Sequence, residues 1–248
     1  AELFRRQIAI SEKVYGRDDI RTVEALNGAS VSATRRGDLD TARDLGRRIV
    51  HILETQLGPS HPRLVTALLN LSVQEQNRDD PVAAEPPLRR AISIAEQAYS
   101  PSHPDVAKCL HALGSLLWSR GDAAGAEAQF RRALAIRGKV FGTDHPQTVQ
   151  TLWLLGLVLI ERGTHEEGYL ALAVASGIKE RLLADLLALG SAERKQAILD
   201  QNTSETSTAV SLHVDEMPRD PRAAIFALST ILRRKGRAVE AVADTLRA

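Results

Sequence analysis

The 248 residues carry 32 Lys and Arg against 31 Asp and Glu, a formal net charge of +1, and a single cysteine, Cys109. Charge so evenly balanced gives no electrostatic reason to expect nucleic acid or a membrane surface as a partner. One cysteine excludes an intramolecular disulfide and suits a reducing compartment, so a cytoplasmic setting is expected. The longest apolar run, around 152–160, is too short to cross a bilayer. Few aromatics and abundant Ala, Leu and Arg favour helices over sheets.

The chain opens at Ala1 inside a helical pattern, which leads us to expect a piece of a longer protein, with residues 1–15 a partial unit. A step of 42 residues organises the chain from there to about 178: it relates Gly16, Gly58, Ser100 and Gly142, and likewise Leu26, Leu68, Leu110 and Leu152. Ile10, Ile52, Ile94, Ile136 and Ile178 keep the step, as do Arg6, Arg48, Arg90 and Arg132. Columns of apolar, glycine and charged residues that hold one register predict a repeat architecture, with units at about 16–57, 58–99, 100–141 and 142–178.

The first unit begins with a degenerate GRDDI at 16–20 and breaks at Arg36-Gly37-Asp38. The second opens with GPSHP at 58–62, and its second helix carries Pro86-Pro87, the extra proline being expected to shift or kink the start. The third is the clearest. Val106, Leu110, Leu113 and Leu117 at helical spacing predict a helix over about 104–120, and Gly121-Asp122 ends it. A second helix is predicted over about 124–141, with Ala126, Phe130, Ala133, Leu134 and Ile136 facing inward. Neither helix buries its apolar stripe alone, so neighbouring units must stack. The fourth unit breaks at Arg162-Gly163-Thr164 and has Gly168 in its second helix, which runs on from 169–178 into 179–189 with no stop. The array is expected to end at 178. Residues 179–248 read as a helical connector, with helices over 192–200, 208–214 and 222–235 and another from Val239.

SPSHP at 100–104 and GTDHP at 142–146 repeat the His-Pro pair of 61–62. Pro62, Pro104 and Pro146 fall at a first helical position, where the missing N–H costs nothing. His61, His103 and His145 then sit at or beside the N-cap. Stacked helices lie about 10 Å apart, whereas zinc–nitrogen bonds are about 2 Å, so successive histidines are not expected to share an ion.

The stretch Ala126 to Ile136 followed by Gly142-Thr143-Asp144-His145-Pro146 resembles the long tetratricopeptide repeats of the kinesin light chain type, and residues 84–104 resemble it too. The resemblance covers about 1–178. It implies an all-α, right-handed superhelical solenoid that binds peptides or protein surfaces on a concave face. Two pieces of the tail, Leu187 to Gln196 and Leu232 to Ala241, resemble the helical connector of bacterial CHAT proteins, in which such repeats precede a caspase-like peptidase domain. That resemblance implies a peptidase domain in cis beyond Ala248.

No catalytic constellation is expected. Cys109 and His111 are two apart, so on a helix they point to different sides. Glu166-Glu167 and Asp79-Asp80 fall at helix starts, where carboxylates suit the dipole. Glycines are scattered rather than gathered into a phosphate loop, and no cofactor or metal is expected. Function is then expected of a surface. Mapping each unit onto the tetratricopeptide pattern places Glu24, Asn27, Thr34 and Arg35 on the groove side of the first unit, and Thr66, Asn70, Gln76 and Asn77 on that of the second. The third contributes Lys108, His111, Ser115, Trp118 and Ser119, and the fourth Gln150, Trp153, Leu157 and Glu161. Asn27 and Asn70 suit a ligand backbone, since an amide both donates and accepts. The two tryptophans read equally as hot spots or as packing, Trp153 beneath the tail and Trp118 against its neighbouring repeat. The expected function is a protein- or peptide-binding scaffold, as the recognition arm of a CHAT-type protease, a stand-alone adaptor, or a structural spacer.

Overall fold

The computed structural model describes residues 2–188, 208, 209, 211 and 220–232, and all its regular structure is helical. It divides into two compact units, residues 1–142 and 143–248.

The first unit opens with α1 (Glu2–Tyr15) and a single 3-10 turn, Ile20–Thr22. Three helix pairs follow: α2 (Val23–Arg35) with α3 (Leu39–Leu57), α4 (Arg63–Gln76) with α5 (Pro81–Ala98), and α6 (Pro104–Ser119) with α7 (Ala123–Phe141). Each first helix packs on its own second helix; α3 also packs on α4, α5 on α6, and the first helices α4 and α6 touch. The Leu column supplies the centre of each pair, with Leu26, Leu68 and Leu110 all buried, each burial contributing about 1.5–3 kcal/mol. Ile52, Ile94 and Ile136 are buried in the same way, whereas Ile10 of that column is 55% exposed on α1.

Every turn into a first helix is built alike. The ring Nδ1 of His61 accepts from the N–H of Arg63, that of His103 from Asp105, and that of His145 from Gln147, each at 3.2 Å. In the degenerate first copy Asp19 stands in the histidine column, and its Oδ1 accepts from the N–H of Arg21 at 2.9 Å. The His-Pro pairs are caps. Second helices use a longer reach: Asp38, Asp80 and Asp122 accept from the N–H three residues on. The residue before each of these aspartates has positive φ, at Gly37 and Gly121 and also at Asp79, where an L side chain occupies the left-handed region at +57°. Pro86 and Pro87 lie inside α5, which starts ahead of them at Pro81, capped by Asp80. The pair therefore falls in the second turn, where it removes two backbone donors without moving the helix start.

Second helices are also joined by ions. Arg48 pairs with Glu12 at 2.6 Å, Arg90 with Glu54, and Arg132 with Glu96 at 2.7 Å, so α1, α3, α5 and α7 form a ladder of three rungs. Such partly exposed pairs contribute about 0–1 kcal/mol each and set register more than stability. Both columns then lose their charge, at Gly138 and Val174.

The second unit contains α8 (Pro146–Glu161), α9 (His165–Ala188) and α10, a helical stretch over 221–232. α8 and α9 approach through glycine: a Cβ on Gly156 would meet Gly168 O at 3.0 Å, and one on Gly168 would meet Gly156 O at 2.8 Å. α9 is continuous through 178, as the missing stop predicts. Asp220-Pro221 repeats the capped opening, Asp220 accepting from the N–H of Arg222 at 2.9 Å. Ala223, Phe226 and Ala227 of α10 pack on Ile160, Tyr169 and Leu172. The predicted helices at 192–200 and from Val239, and nearly all of both tail motifs, lie outside the described residues.

Candidate functional site

In the first unit the groove candidates lie on α2, α4 and α6. Asn27, Arg35 and Asn70 are exposed and line one recess of about 330 Å³. Thr34 joins them at the rim, while Ser30, Gly46, Ile49, Ala67 and Gln74 form its depth. Asn27 and Asn70 come from first helices of successive units, so two amides flank the same opening. Asn77 lies elsewhere, in a shallow depression with Asp38, Asp40 and Arg78. Lys108 is exposed, Trp118 is partly buried, and the Ser115 hydroxyl donates to the His111 carbonyl of its own helix at 3.1 Å.

His111 is partly buried, its ring tilted against Phe130 with centroids 5.7 Å apart. Burial, with the Arg137 guanidinium adding to it, pushes the imidazole down to about 4. The folded chain therefore keeps it neutral where an unfolded chain, titrating at about 6.5, takes a proton. Above pH 6.5 the residue adds no pH dependence. Between about 6.5 and 4 stability should fall as pH falls, by about 2–3 kcal/mol in all. Urea midpoints measured across that window should slope in the native chain and flatten in His111→Gln; parallel curves would refute the assignment.

Cys109 is fully buried, and burial followed by the Asp105 carboxylate pushes its thiol up to about 12. A thiol so far from ionisation is a packing group. Among the described residues no three His, Cys, Asp or Glu side chains gather to hold a metal ion. Nor, among them, is any helix long and apolar enough to cross a membrane.

In the second unit Gln150 and Trp153 line a recess of about 270 Å³ with Pro146, Val149, Lys179, Leu182 and Thr208. Trp153 is partly buried, its ring 6.1 Å from that of Phe226, and with Leu157 it packs on the cluster formed by α8, α9 and α10. Glu161 is exposed at the end of α8. Sequence reasoning missed Gln74 and Gly46, which shape the first recess. Their signal was a break in columns: Gly46 falls where later units have Leu88, Phe130 and Leu172, and Gln74 where they have Leu116 and Val158.

A tetratricopeptide-repeat profile matches residues 63–139, and a second such profile matches 111–177. No curated protein sequence matches the chain. Among solved structures, BtubC (BKLC) from P. vanneervenii superposes with a TM-score of 0.66 at 20% identity, covering 73% of this chain and 72% of that one. A Podosopora anserina protein described as a kinesin light chain with nearly identical TPR-like repeats gives 0.63 at 19%, over 73% and 86%. A Rap protein complexed with competence and sporulation factor gives 0.55 at 18%, over 88% and 65%. Identities this low speak to the fold. Over residues 63–177 the chain is built of tetratricopeptide repeats, in an all-α architecture of the kind those structures share.

Proposed function

We propose that this chain is a protein- or peptide-binding scaffold whose groove in the first unit is formed by α2, α4 and α6. The observation that carries this is the pairing of Asn27 and Asn70, exposed on successive first helices and flanking one recess with Arg35 at its rim. Two amides spaced along a groove offer donors and acceptors to an extended backbone. That a Rap protein of similar fold was crystallised with a bound factor supports the reading. Random peptides panned on the immobilised chain should enrich a binding sequence, and Asn27→Ala with Asn70→Ala should weaken it about tenfold or more, at about 1 kcal/mol per lost hydrogen bond. Equal affinity in a double variant of unchanged melting temperature would end the proposal.

The finer reading takes 1–178 as the recognition array and 179–248 as a connector to a caspase-like domain in cis, in a cytoplasmic protein. The resemblance of Leu187 to Gln196 and Leu232 to Ala241 to CHAT connectors favours it. Reading the coding sequence beyond Ala248 tests it directly: a segment with separate His and Cys motifs supports it, and its absence leaves the stand-alone scaffold.

A further inference from the structure

In the third and fourth units a large side chain of the second helix fills a notch in the first. Phe130 lies on Gly114, where an added Cβ would meet its ring at 2.8 Å, and Leu172 lies on Gly156 at the same distance. Leu88 holds that column in the second unit, and all three side chains are fully buried. The first unit has Gly46 there, so α3 supplies no side chain to the notch between α2 and α4.

Gln74 reaches into the gap instead. It stands where Leu116 and Val158 are buried in later units, and is itself only 7% exposed. Its Nε2 donates to Ser30 Oγ at 2.7 Å, and the Ser30 hydroxyl donates on to Ala42 O at 3.3 Å. The other end of the amide, Oε1, rests on Gly46, where a Cβ would collide with it, and has no hydrogen-bond partner. A buried acceptor left unsatisfied is costly, and whichever way the amide is turned one end faces Gly46 unpaired. Turning the side chain outward to the exposed rim, where water satisfies it, would open the space on Gly46.

We infer that Gln74 is a displaceable plug and that the notch beneath it receives one branched aliphatic side chain, leucine in size, from a bound partner segment. The occupant is set by the chain's own example: Leu88, Phe130 and Leu172 fill the equivalent space, and the one that faces a serine, as a guest here would face Ser30, is Leu88 opposite Ser72. Ile49, Ala67, Val31 and Val73 supply apolar walls. No carboxylate lines the recess, and its one charged residue, Arg35, is exposed at the rim rather than at the floor. This rests on the groove reading and adds to it the depth and chemistry of one subsite.

The test uses N-acetyl-leucinamide as probe and the ¹⁵N-labelled chain as reporter. The Gly46 backbone amide and the Gln74 side-chain amide should shift saturably, with a dissociation constant in the millimolar range; N-acetyl-glycinamide should leave them unmoved. Gly46→Leu, which rebuilds the Leu88–Ser72 arrangement, should abolish the shifts and raise the melting temperature by about 2–4 °C. Gln74→Ala should tighten probe binding severalfold, and it keeps the idea testable should Gly46→Leu fold poorly. Absence of a saturable shift at Gly46 in the native chain, persistence of it in Gly46→Leu, or weaker binding in Gln74→Ala would each overturn the inference. The Asn27 and Asn70 double variant should lose selected peptides yet still bind the probe, so failure of the groove reading and failure of the plug are separable.

Discussion

Phe130→Ala should lower the stability of the first unit by about 3–5 kcal/mol, read as a drop in the urea midpoint with little change in slope. The side chain is fully buried, lies over Gly114 and touches the ring of His111, so truncation leaves a hole bounded by a backbone and an aromatic ring. The glycine cannot extend to fill it, and the cavity remains as an added cost. Phe130→Leu is the control. The column already takes leucine at 88 and 172, so this swap should cost under about 1.5 kcal/mol. Similar losses for the two variants would mean that α6 and α7 close on whatever lies between them, contrary to the packing described.

The second large effect belongs to Gly168→Val. Alanine holds this column at 42, 84 and 126, each fully buried, but at 168 α8 comes too close even for a methyl. An added Cβ would lie 2.6 Å from Ile160 Cγ1 and 2.8 Å from the backbone oxygen of Gly156. Ile160 has a second rotamer to try; the carbonyl has none. Relieving the clash requires α8 and α9 to separate, which for valine should cost about 3 kcal/mol. The gain in helix propensity from replacing a glycine, about 0.5–1 kcal/mol, is too small to reverse the sign. Gly138→Ala is the matched control, since nothing lies within 4 Å of its added Cβ, and it should be neutral or stabilising. Hydrogen exchange locates the damage: amides of α8 and α9 should lose protection while those of α2 to α5 keep theirs. Uniform loss, or none, would refute the close approach as its cause.

Both effects depend on columns, and columns are what a sequence displays best. The all-α repeat, the turn glycines and the second helix that overruns 178 all derive from residues that recur at one spacing. The acids of the ladder recur too, at Glu12, Glu54 and Glu96, but their value emerges only when they are paired with the Arg column one helix away. The first recess was legible in part. Its rim, Asn27, Arg35 and Asn70, lies on an exposed helix face that a repeat pattern predicts. Its floor is made by a missing side chain at Gly46, which shows in the sequence only as a break in the column of Leu88, Phe130 and Leu172. Packing of Trp153 beneath the tail was one of two readings the sequence left equal, and its partner there, Phe226, could not be named. That contact joins the array to a segment that shares no period with it, 73 positions along the chain from 153 to 226.

The ladder also bears on how such a chain can change length. Each Arg meets a Glu 36 positions earlier, one unit less six residues, through side chains long enough to bridge neighbouring second helices. A duplication or deletion of 42 residues leaves the rungs on either side paired, whereas a change of a residue or two inside a second helix turns its arginine or its glutamate away from the partner. The ion pairs thus act as a reading frame written in three dimensions, tolerant of whole repeats and intolerant of fractions.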